Sequence, residues 1–191
     1  AGQSAEFPPF SKPVAITSGP KDHLFASYYA INAWSADGRY VTVLETDVKG
    51  RLPTEQDAAK LGVVDLKDSN RFIPLTETRC WNFQEATMAH WLGTAPNTQF
   101  IYNDLVDGKF VAVTYDIGTG QKRIVPHPVS AVTADGKWAV SINYARLRLT
   151  RPDYGYGGNG QDARNGVTWP GDDGLWLVNV QTGEAKLIVP I

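Results

Sequence analysis

Three stretches of the sequence share one alternation of apolar and polar positions. They are LGVVDLKDSNRFIPL at 61–75, VAVTYDIGTGQKRIVP at 111–126 and LWLVNVQTGEAKLIVP at 175–190. Each contains an apolar run, a short polar turn and a second apolar run, which predicts two antiparallel strands joined by a tight turn. The first strand of each pair ends at an equivalent position, occupied by Asp65, Asp116 and Asn179.

A second shared pattern precedes each of these stretches. It reads WSADGRYVTVL at 34–44, WLGTAPNTQFIY at 91–102 and VTADGKWAVSI at 132–142. Between the apolar runs lie polar residue pairs that predict hairpin turns, namely Asp37-Gly38, Asn97-Thr98 and Asp135-Gly136. Each repeat is therefore predicted to form four strands.

Four antiparallel strands that recur three times are typical of the blades of a β-propeller, so the predicted fold class is all-β. The expected divisions are an N-terminal extension with a candidate closing strand at 1–27, a first blade with its linker at 28–87, a second blade at 88–128, and a third blade at 129–191 with a long loop at 143–173. A β-sandwich of repeated hairpins is the alternative, because hairpins alone do not fix how sheets pack. The four-strand period favours the propeller.

Three blades are fewer than the roughly four to eight of a closed propeller. We therefore expect the chain to be part of a larger ring, completed by blades from the rest of the protein or from another chain. The Pro-, Gly- and Ser-rich opening of the sequence suits a mature N-terminus after signal-peptide removal. It predicts a secreted or periplasmic protein.

Composition narrows the function classes further. The 191 residues include 20 acidic and 18 basic side chains, a balance that argues against a nucleic-acid partner. No apolar run reaches the roughly 18 to 20 residues of a membrane-spanning helix, so no membrane span is expected. The single cysteine, Cys80, excludes an internal disulfide and a multi-cysteine zinc site.

Two histidines lie where a propeller concentrates its chemistry. Loops between second and third strands share one face with the connections between blades, and His23 and His90 fall at or just before the start of innermost strands. An imidazole at that position can act as an acid, a base or a metal ligand. For each histidine, capping of a backbone group in a packed channel is the alternative.

The linker TRCWNFQEATMAHW, residues 78–91, is richer in polar chemistry than a connection between strands requires. Arg79 could grip a carboxylate in bidentate fashion, and Gln84 could hydrogen-bond hydroxyl groups. Trp81 could stack on a sugar ring, or it could pack between the first two blades. These residues predict a substrate-binding surface.

The long loop begins YARLRLTRPDYGYGG and combines arginine with tyrosine. Arg146, Arg148 and Tyr156 are candidates for binding an acidic glycan, and Tyr154 is a candidate for proton transfer. Several oxygen-bearing residues of the loop could hold calcium, but they lack the alternation of an EF-hand and are better interpreted as solvated turns: Asp153, Asn159, Asp162, Asn165, Asp172 and Asp173.

On these motifs the chain resembles secreted seven-bladed propellers related to oligogalacturonate lyase and other propeller-type polysaccharide lyases. The resemblance rests on WSADGRY, VTADGKW, WNFQEATMAHWL, FIYNDLVDGKFVAVTYDIGTGQKR and RLRLTRPDYGYGG, and it extends from about His23 through most of the chain. It implies that the chain holds the N-terminal three blades of a seven-bladed ring. It also implies an acidic oligosaccharide or polysaccharide as the partner.

The implied reaction is cleavage beside a uronic acid by β-elimination. Arginine or a divalent cation must neutralise the uronate carboxylate so that a histidine or tyrosine can remove the C5 proton. The candidates for proton transfer are His23, His90 and Tyr154, and those for neutralisation are Arg79, Arg146 and Arg148. No cluster of several histidines is visible, so arginine is favoured over a cation such as Ca²⁺ or Mn²⁺, and no metal ligands are assigned.

Two other function classes remain open at this point. A noncatalytic propeller that binds glycan or protein needs only the aromatic and arginine residues. A glycoside hydrolase needs two carboxylates at a suitable separation, for which Asp22, Glu85 and Asp104 are candidates.

Overall fold

The computed structural model describes residues 12–157, 160–162 and 164–191, which form three four-stranded antiparallel sheets. The first sheet contains β1 (Asp22–Phe25), β2 (Tyr40–Thr46), β3 (Ala59–Asp65) and β4 (Arg71–Thr78). The second contains β5 (His90–Trp91), β6 (Gln99–Val106), β7 (Lys109–Asp116) and β8 (Lys122–Val125). The third contains β9 (Ala131–Val132), β10 (Trp138–Ser141), β11 (Gly174–Asn179) and β12 (Ala185–Pro190), with the helix α1 (Tyr144–Thr150) between β10 and β11. The prediction of an all-β chain built from a repeated four-strand unit is confirmed.

The predicted hairpin turns form, and the sequence explains their shape. In the first sheet Asp37 Oδ1 accepts hydrogen bonds from the Ser35 hydroxyl and the Arg39 amide. In the third sheet Asp135 Oδ1 accepts the same two bonds from the Thr133 hydroxyl and the Lys137 amide. Gly38 and Gly136 follow these aspartates with φ of 67° and 72°, a region that glycine adopts without steric cost.

The second sheet is buried on both faces because its residues alternate between two cores. Phe100 and Tyr102 of β6 pack with the first sheet, around Leu44, Leu61 and Trp81. Ile101 of β6 points the other way and packs with Val129, Ala139 and Val178 of the third sheet. Side chains alternate faces along a strand, so one sheet serves two interfaces. The three sheets are therefore stacked face to face along the chain.

Two sheet faces at the ends of this stack have no neighbouring sheet among the described residues. On the first sheet, Val41, Val43 and Val64 are covered in part by Ile16 of the N-terminal segment. On the third sheet, Trp138 and Val189 remain 40% and 54% exposed.

Two features differ from the sequence-based expectation. The first strand begins at Asp22, inside the 1–27 segment expected to be an extension, and Leu24 and Ala26 pack into the core beside the second sheet. The long loop contains α1, whose N-cap is Asn143; its side chain accepts a hydrogen bond from the Arg146 amide. The first eleven residues of the extension lie outside the described residues. No helix among the described residues is long and apolar enough to cross a membrane.

Candidate functional site

The described residues of the long loop 143–173 lie across the ends of the strands, on the same side of all three sheets. Its Gln161 amide donates to the carbonyl of Gly108 in the β6–β7 turn at 3.2 Å. Gly157 packs so closely on the β2–β3 loop that an added Cβ would lie 2.7 Å from the Pro53 carbonyl oxygen. Arg148 donates to the same carbonyl at 3.5 Å. The loop, which leaves the third sheet, thus contacts both other sheets and forms what we call the loop face.

The linker 79–89, between β4 and β5, is anchored to this loop by Asn82. The side-chain oxygen of Asn82 accepts hydrogen bonds from the Gln84 and Glu85 amides at 2.8 and 2.6 Å. Its Nδ2 donates to the Tyr154 carbonyl at 2.8 Å. Asn82 is buried, so one side chain fixes the linker and positions Tyr154 beside it.

Three tyrosines form a partly exposed cluster, the phenol cluster, at this junction. Tyr28 donates its hydroxyl hydrogen to the Tyr29 hydroxyl at 2.7 Å, and their ring centroids lie 4.0 Å apart. The Tyr154 ring centroid lies 6.4 Å from that of Tyr28, and the Arg151 guanidinium lies 4.6 Å above Tyr154. Tyr29 is 82% exposed. Hydrogen bonding to Tyr29, and then to Tyr154, raises the pKa of Tyr28.

Glu85 places an ionisable carboxyl group in the same linker. Its Oε2 atom is buried with no hydrogen-bond partner among the described residues, and burial raises the pKa of the carboxyl group to about 7. Burial is the main cause of the raised pKa values of Tyr144 and Tyr156, and the negative charge of Glu85 is a smaller cause in the same direction. Near neutral pH, Glu85 can therefore either donate or accept a proton.

His90 lies on β5, in a cavity of about 320 Å³ between the innermost segments of the three sheets. Its Nδ1 lies 2.7 Å from the Met88 carbonyl, which can only accept, so the neutral ring carries its proton on Nδ1 and a lone pair on Nε2. Burial lowers the pKa of this histidine, and the Met88 bond opposes the shift. The ring is thus held as a base. Ile31 and Asn32 line the cavity beside His90, together with Ala131–Ala134 of β9 and the β9–β10 turn.

His23 lies at the start of β1, the innermost strand of the first sheet, as expected. Its Nε2 lies 3.5 Å from Glu45 on β2, and its ring contacts Phe72 edge-on at 5.2 Å. His23 and Glu45 are cross-strand partners on the first sheet. His23 therefore contacts Glu45 and Phe72, and no contact joins it to His90 among the described residues, so a role for His23 in proton transfer stays a prediction.

Two of the expected ligand-binding aromatics are buried. Trp81 is 0% exposed, and its indole nitrogen donates to the Asp57 carbonyl at 2.9 Å. Tyr156 is 0% exposed, stacks on Tyr144 at 4.5 Å, and accepts a hydrogen bond from Asn103 at 2.6 Å. Neither ring presents a face to a ligand, so stacking on a sugar is corrected to core packing for both. The alternative position of Trp81 between the first two blades matches its contacts.

The expected arginines divide into two groups. Arg146 donates to the Val167 and Thr168 carbonyls, and Arg148 donates to the Pro152 and Pro53 carbonyls. Both therefore hold the loop together. Arg79 and Gln84 are exposed on the linker, where a ligand can reach them.

Of the phenol cluster, the sequence pattern singled out Tyr154 but not Tyr28 and Tyr29, although this tyrosine pair shortly after β1 was a usable signal. Glu85 was considered only for a hydrolase, because burial of its carboxyl group cannot be inferred from a linker sequence. No group of three or more His, Cys, Asp or Glu side chains within the described ranges is arranged to hold a metal ion. Asn159, one of the candidate calcium ligands, lies outside those ranges.

No protein-family model and no curated protein matches the sequence. Among solved structures, the chain is similar to TolB from Acinetobacter baumannii, with 12% identity and a TM-score of 0.52 over 90% of this chain and 33% of that one. It is similar to an oligogalacturonate lyase in complex with manganese, with 14% identity and a TM-score of 0.53 over 90% of this chain and 42% of that one. It is also similar to AtxE2 isopeptidase without ligand, with 13% identity and a TM-score of 0.50 over 89% of this chain and 30% of that one.

These similarities support a propeller-type fold and no particular reaction, because one fold hosts many functions. The chain spans about a third to two fifths of the length of these proteins.

Proposed function

We propose that the loop face binds an acidic oligosaccharide, and that the complete propeller cleaves this ligand beside a uronic acid by β-elimination. The observation that carries the proposal is the phenol cluster, which lies against a linker that exposes a cation and an amide. Aromatic rings provide flat apolar faces for sugar rings, while Arg79 can pair with a carboxylate and Gln84 can bond to hydroxyl groups.

The chemistry of the reaction assigns a role to each remaining candidate. A base removes the C5 proton, a C4–C5 double bond forms as the C4–O bond breaks, and an acid protonates the departing oxygen. Tyr154 and His90 are the proposed proton-transfer residues. Tyr154 has a hydroxyl group beside the exposed cluster, and His90 has a free lone pair on Nε2. Arg79 is the proposed neutralising cation.

A divalent cation is the alternative means of neutralisation. Manganese is named with the similar oligogalacturonate lyase, and in this protein a Ca²⁺ or Mn²⁺ ion would need ligands beyond those gathered in the described residues. We therefore propose neutralisation by arginine.

A noncatalytic propeller that binds glycan or protein is the second candidate function. It is favoured by the engagement of Arg146 and Arg148 with backbone carbonyls and of His23 with Glu45. On this account Tyr154 and His90 are dispensable for binding, and the exposed rings alone matter.

We also propose how the complete protein is assembled and where it is located. The remaining blades, from the rest of the protein or another chain, complete a seven-bladed ring against the two uncovered sheet faces. The ring is secreted or periplasmic, where acidic polysaccharides are accessible.

Calorimetric titration with a galacturonate trisaccharide tests the binding part of the proposal. Tyr29→Ala should weaken binding about three- to tenfold, because it removes the exposed stacking ring. Phe25→Ala is the matched control, since Phe25 is an exposed aromatic (52%) on the first sheet. Equal affinity for a neutral trisaccharide, or equal loss in the two variants, would contradict binding at the loop face.

A further inference from the structure

A second cleft opens between the second and third sheets, at the opposite ends of the strands from the loop face. Its volume is about 560 Å³, within the range of small-molecule sites. The β7–β8, β9–β10 and β11–β12 turns surround it. Its lining combines polar and apolar surface, and the polar residues include Gln99, Asp116, Arg123, Lys137 and Gln181.

The repeats differ in how the cation at this cleft is paired. In the first sheet, Arg39 donates three hydrogen bonds to Asp65, the shortest at 2.7 Å. The third sheet has Lys137 in place of Arg39 and Asn179 in place of Asp65. The backbone hydrogen bonds show that these positions are equivalent. In the first sheet, the backbone amide of Leu66, which follows Asp65, donates to the carbonyl of Arg39. In the third sheet, the backbone amide of Val180, which follows Asn179, donates to the carbonyl of Lys137.

The replacement of a carboxylate by an amide leaves the Lys137 ammonium group without its expected partner. The described carboxylate within ion-pair distance of Lys137 is that of Asp135, at 3.9 Å, and both side chains are more than half exposed. Such a contact contributes little. In the first sheet, Asp37 holds the same turn position in addition to Asp65, so Lys137 has one nearby carboxylate where Arg39 has two.

The second sheet adds a further cation and one hydrogen-bonded carboxylate to this cleft. One Arg123 nitrogen donates to the Val180 carbonyl at 2.7 Å, which holds the guanidinium between the two sheets. The Asp116 carboxylate accepts hydrogen bonds from the Gly118 and Thr119 amides and from Gln99. These donors, Gln99 first, lower the pKa of Asp116, so a charged carboxylate also lines the cleft, held by its own β7–β8 turn and by β6, and it forms no ion pair with Lys137 or Arg123 among the described residues.

We infer that this cleft binds a small anion through Lys137 and Arg123, with the surrounding amides bonding to its polar groups. The ligand carries a carboxylate or phosphate group, as in a sugar acid or inorganic phosphate. Arginine and lysine recognise both kinds of anion, and side-chain amides such as those of Gln121 and Gln181 can bond to hydroxyl groups. The site is independent of the loop face.

Amide NMR titrations of the Tyr29→Ala protein test the inference with the proposed glycan site weakened, and the residues whose amides shift distinguish the two sites. The probes are glucuronate, inorganic phosphate and neutral glucose. We expect glucuronate, phosphate or both to shift the amides of residues 136–138 and 179–181, while glucose does not. If only one anion causes these shifts, the result shows whether the cleft recognises a carboxylate or a phosphate, and it still supports anion binding in the cleft.

Three variants test whether the positive charge of Lys137 contributes to anion binding. Lys137→Gln should weaken anion binding about three- to fivefold, and Asn179→Asp should do the same by restoring the missing carboxylate beside an intact lysine. Lys67→Gln, on the corresponding exposed turn of the first sheet, is the control and should leave affinity unchanged. Shifts elsewhere only, no binding, equal response to glucose, or an unchanged affinity of Asn179→Asp would overturn the inference.

Discussion

At the scale of single residues, Glu85 is a carboxyl group whose ionisation opposes folding. Burial raises its pKa from an ordinary value of 4.5 to about 7. As pH rises between these values, the unfolded chain releases the proton while the folded chain retains it. The free energy of unfolding therefore falls through this window, and below about pH 4.5 Glu85 has no such effect because both states are protonated.

Glu85→Gln should remove this penalty. We expect the variant to be more stable than the wild type at pH 8 by about 1 kcal/mol, a value reduced to allow for the solvent that reaches a half-buried group. The gain should disappear as the pH is lowered to about 4.5, where the wild-type carboxyl group is neutral too. Urea unfolding across this pH range measures the difference. Glu77→Gln, at an exposed position on β4, should show no comparable gain; a pH-independent gain for Glu85→Gln would contradict the assigned cause.

At the scale of elements, the linker and the long loop act as one unit through Asn82. Its side chain satisfies two linker amides and one loop carbonyl, all in a region where Ala86 and Met88 adopt positive φ of 48° and 51°. Such backbone conformations persist only where surrounding contacts impose them. The position of Tyr154 and the shape of the linker are therefore coupled.

Asn82→Ala should destabilise the protein by about 2 to 3 kcal/mol, because it leaves partly buried amides without acceptors. Asn82→Asp keeps the acceptor and removes only the donor to the Tyr154 carbonyl, so we expect a smaller loss of stability. Urea unfolding gives the first comparison, and titration with galacturonate trisaccharide gives the second. Equal stability of wild type and Asn82→Ala would exclude the proposed anchoring role.

Strands and hairpin turns were predictable because their signals are local. Alternating residues around Asp37-Gly38 and Asp135-Gly136 determine both the turn and the strands beside it. The helix α1 was missed because YARLRLT is short and depends on the cap from Asn143. Arg146 and Arg148 were interpreted as ligand-binding residues because a sequence does not reveal which backbone carbonyls a distant loop will present. The contact of His23 with Glu45 could not be predicted for a related reason, since it depends on the register of β1 with β2.

At the scale of the whole molecule, the two ends of the three sheets carry different groups of functional side chains. The loop face presents the phenol cluster, Arg79 and Gln84, while the opposite end holds the cationic cleft between the second and third sheets. The two uncovered sheet faces provide surfaces on which further blades can pack. The reaction proposed for the loop face consequently belongs to the completed ring.

The most direct test of this account follows the ultraviolet absorbance of unsaturated uronate when the protein with all its blades meets pectic fragments, ulvan, glucuronan and uronate-capped plant gums. We predict a rise on at least one of these glycans, and its loss in Tyr154→Phe, with folding and glycan binding retained. No rise on any glycan, from a closed ring that still binds one of them, would contradict β-elimination and leave the noncatalytic glycan-binding propeller.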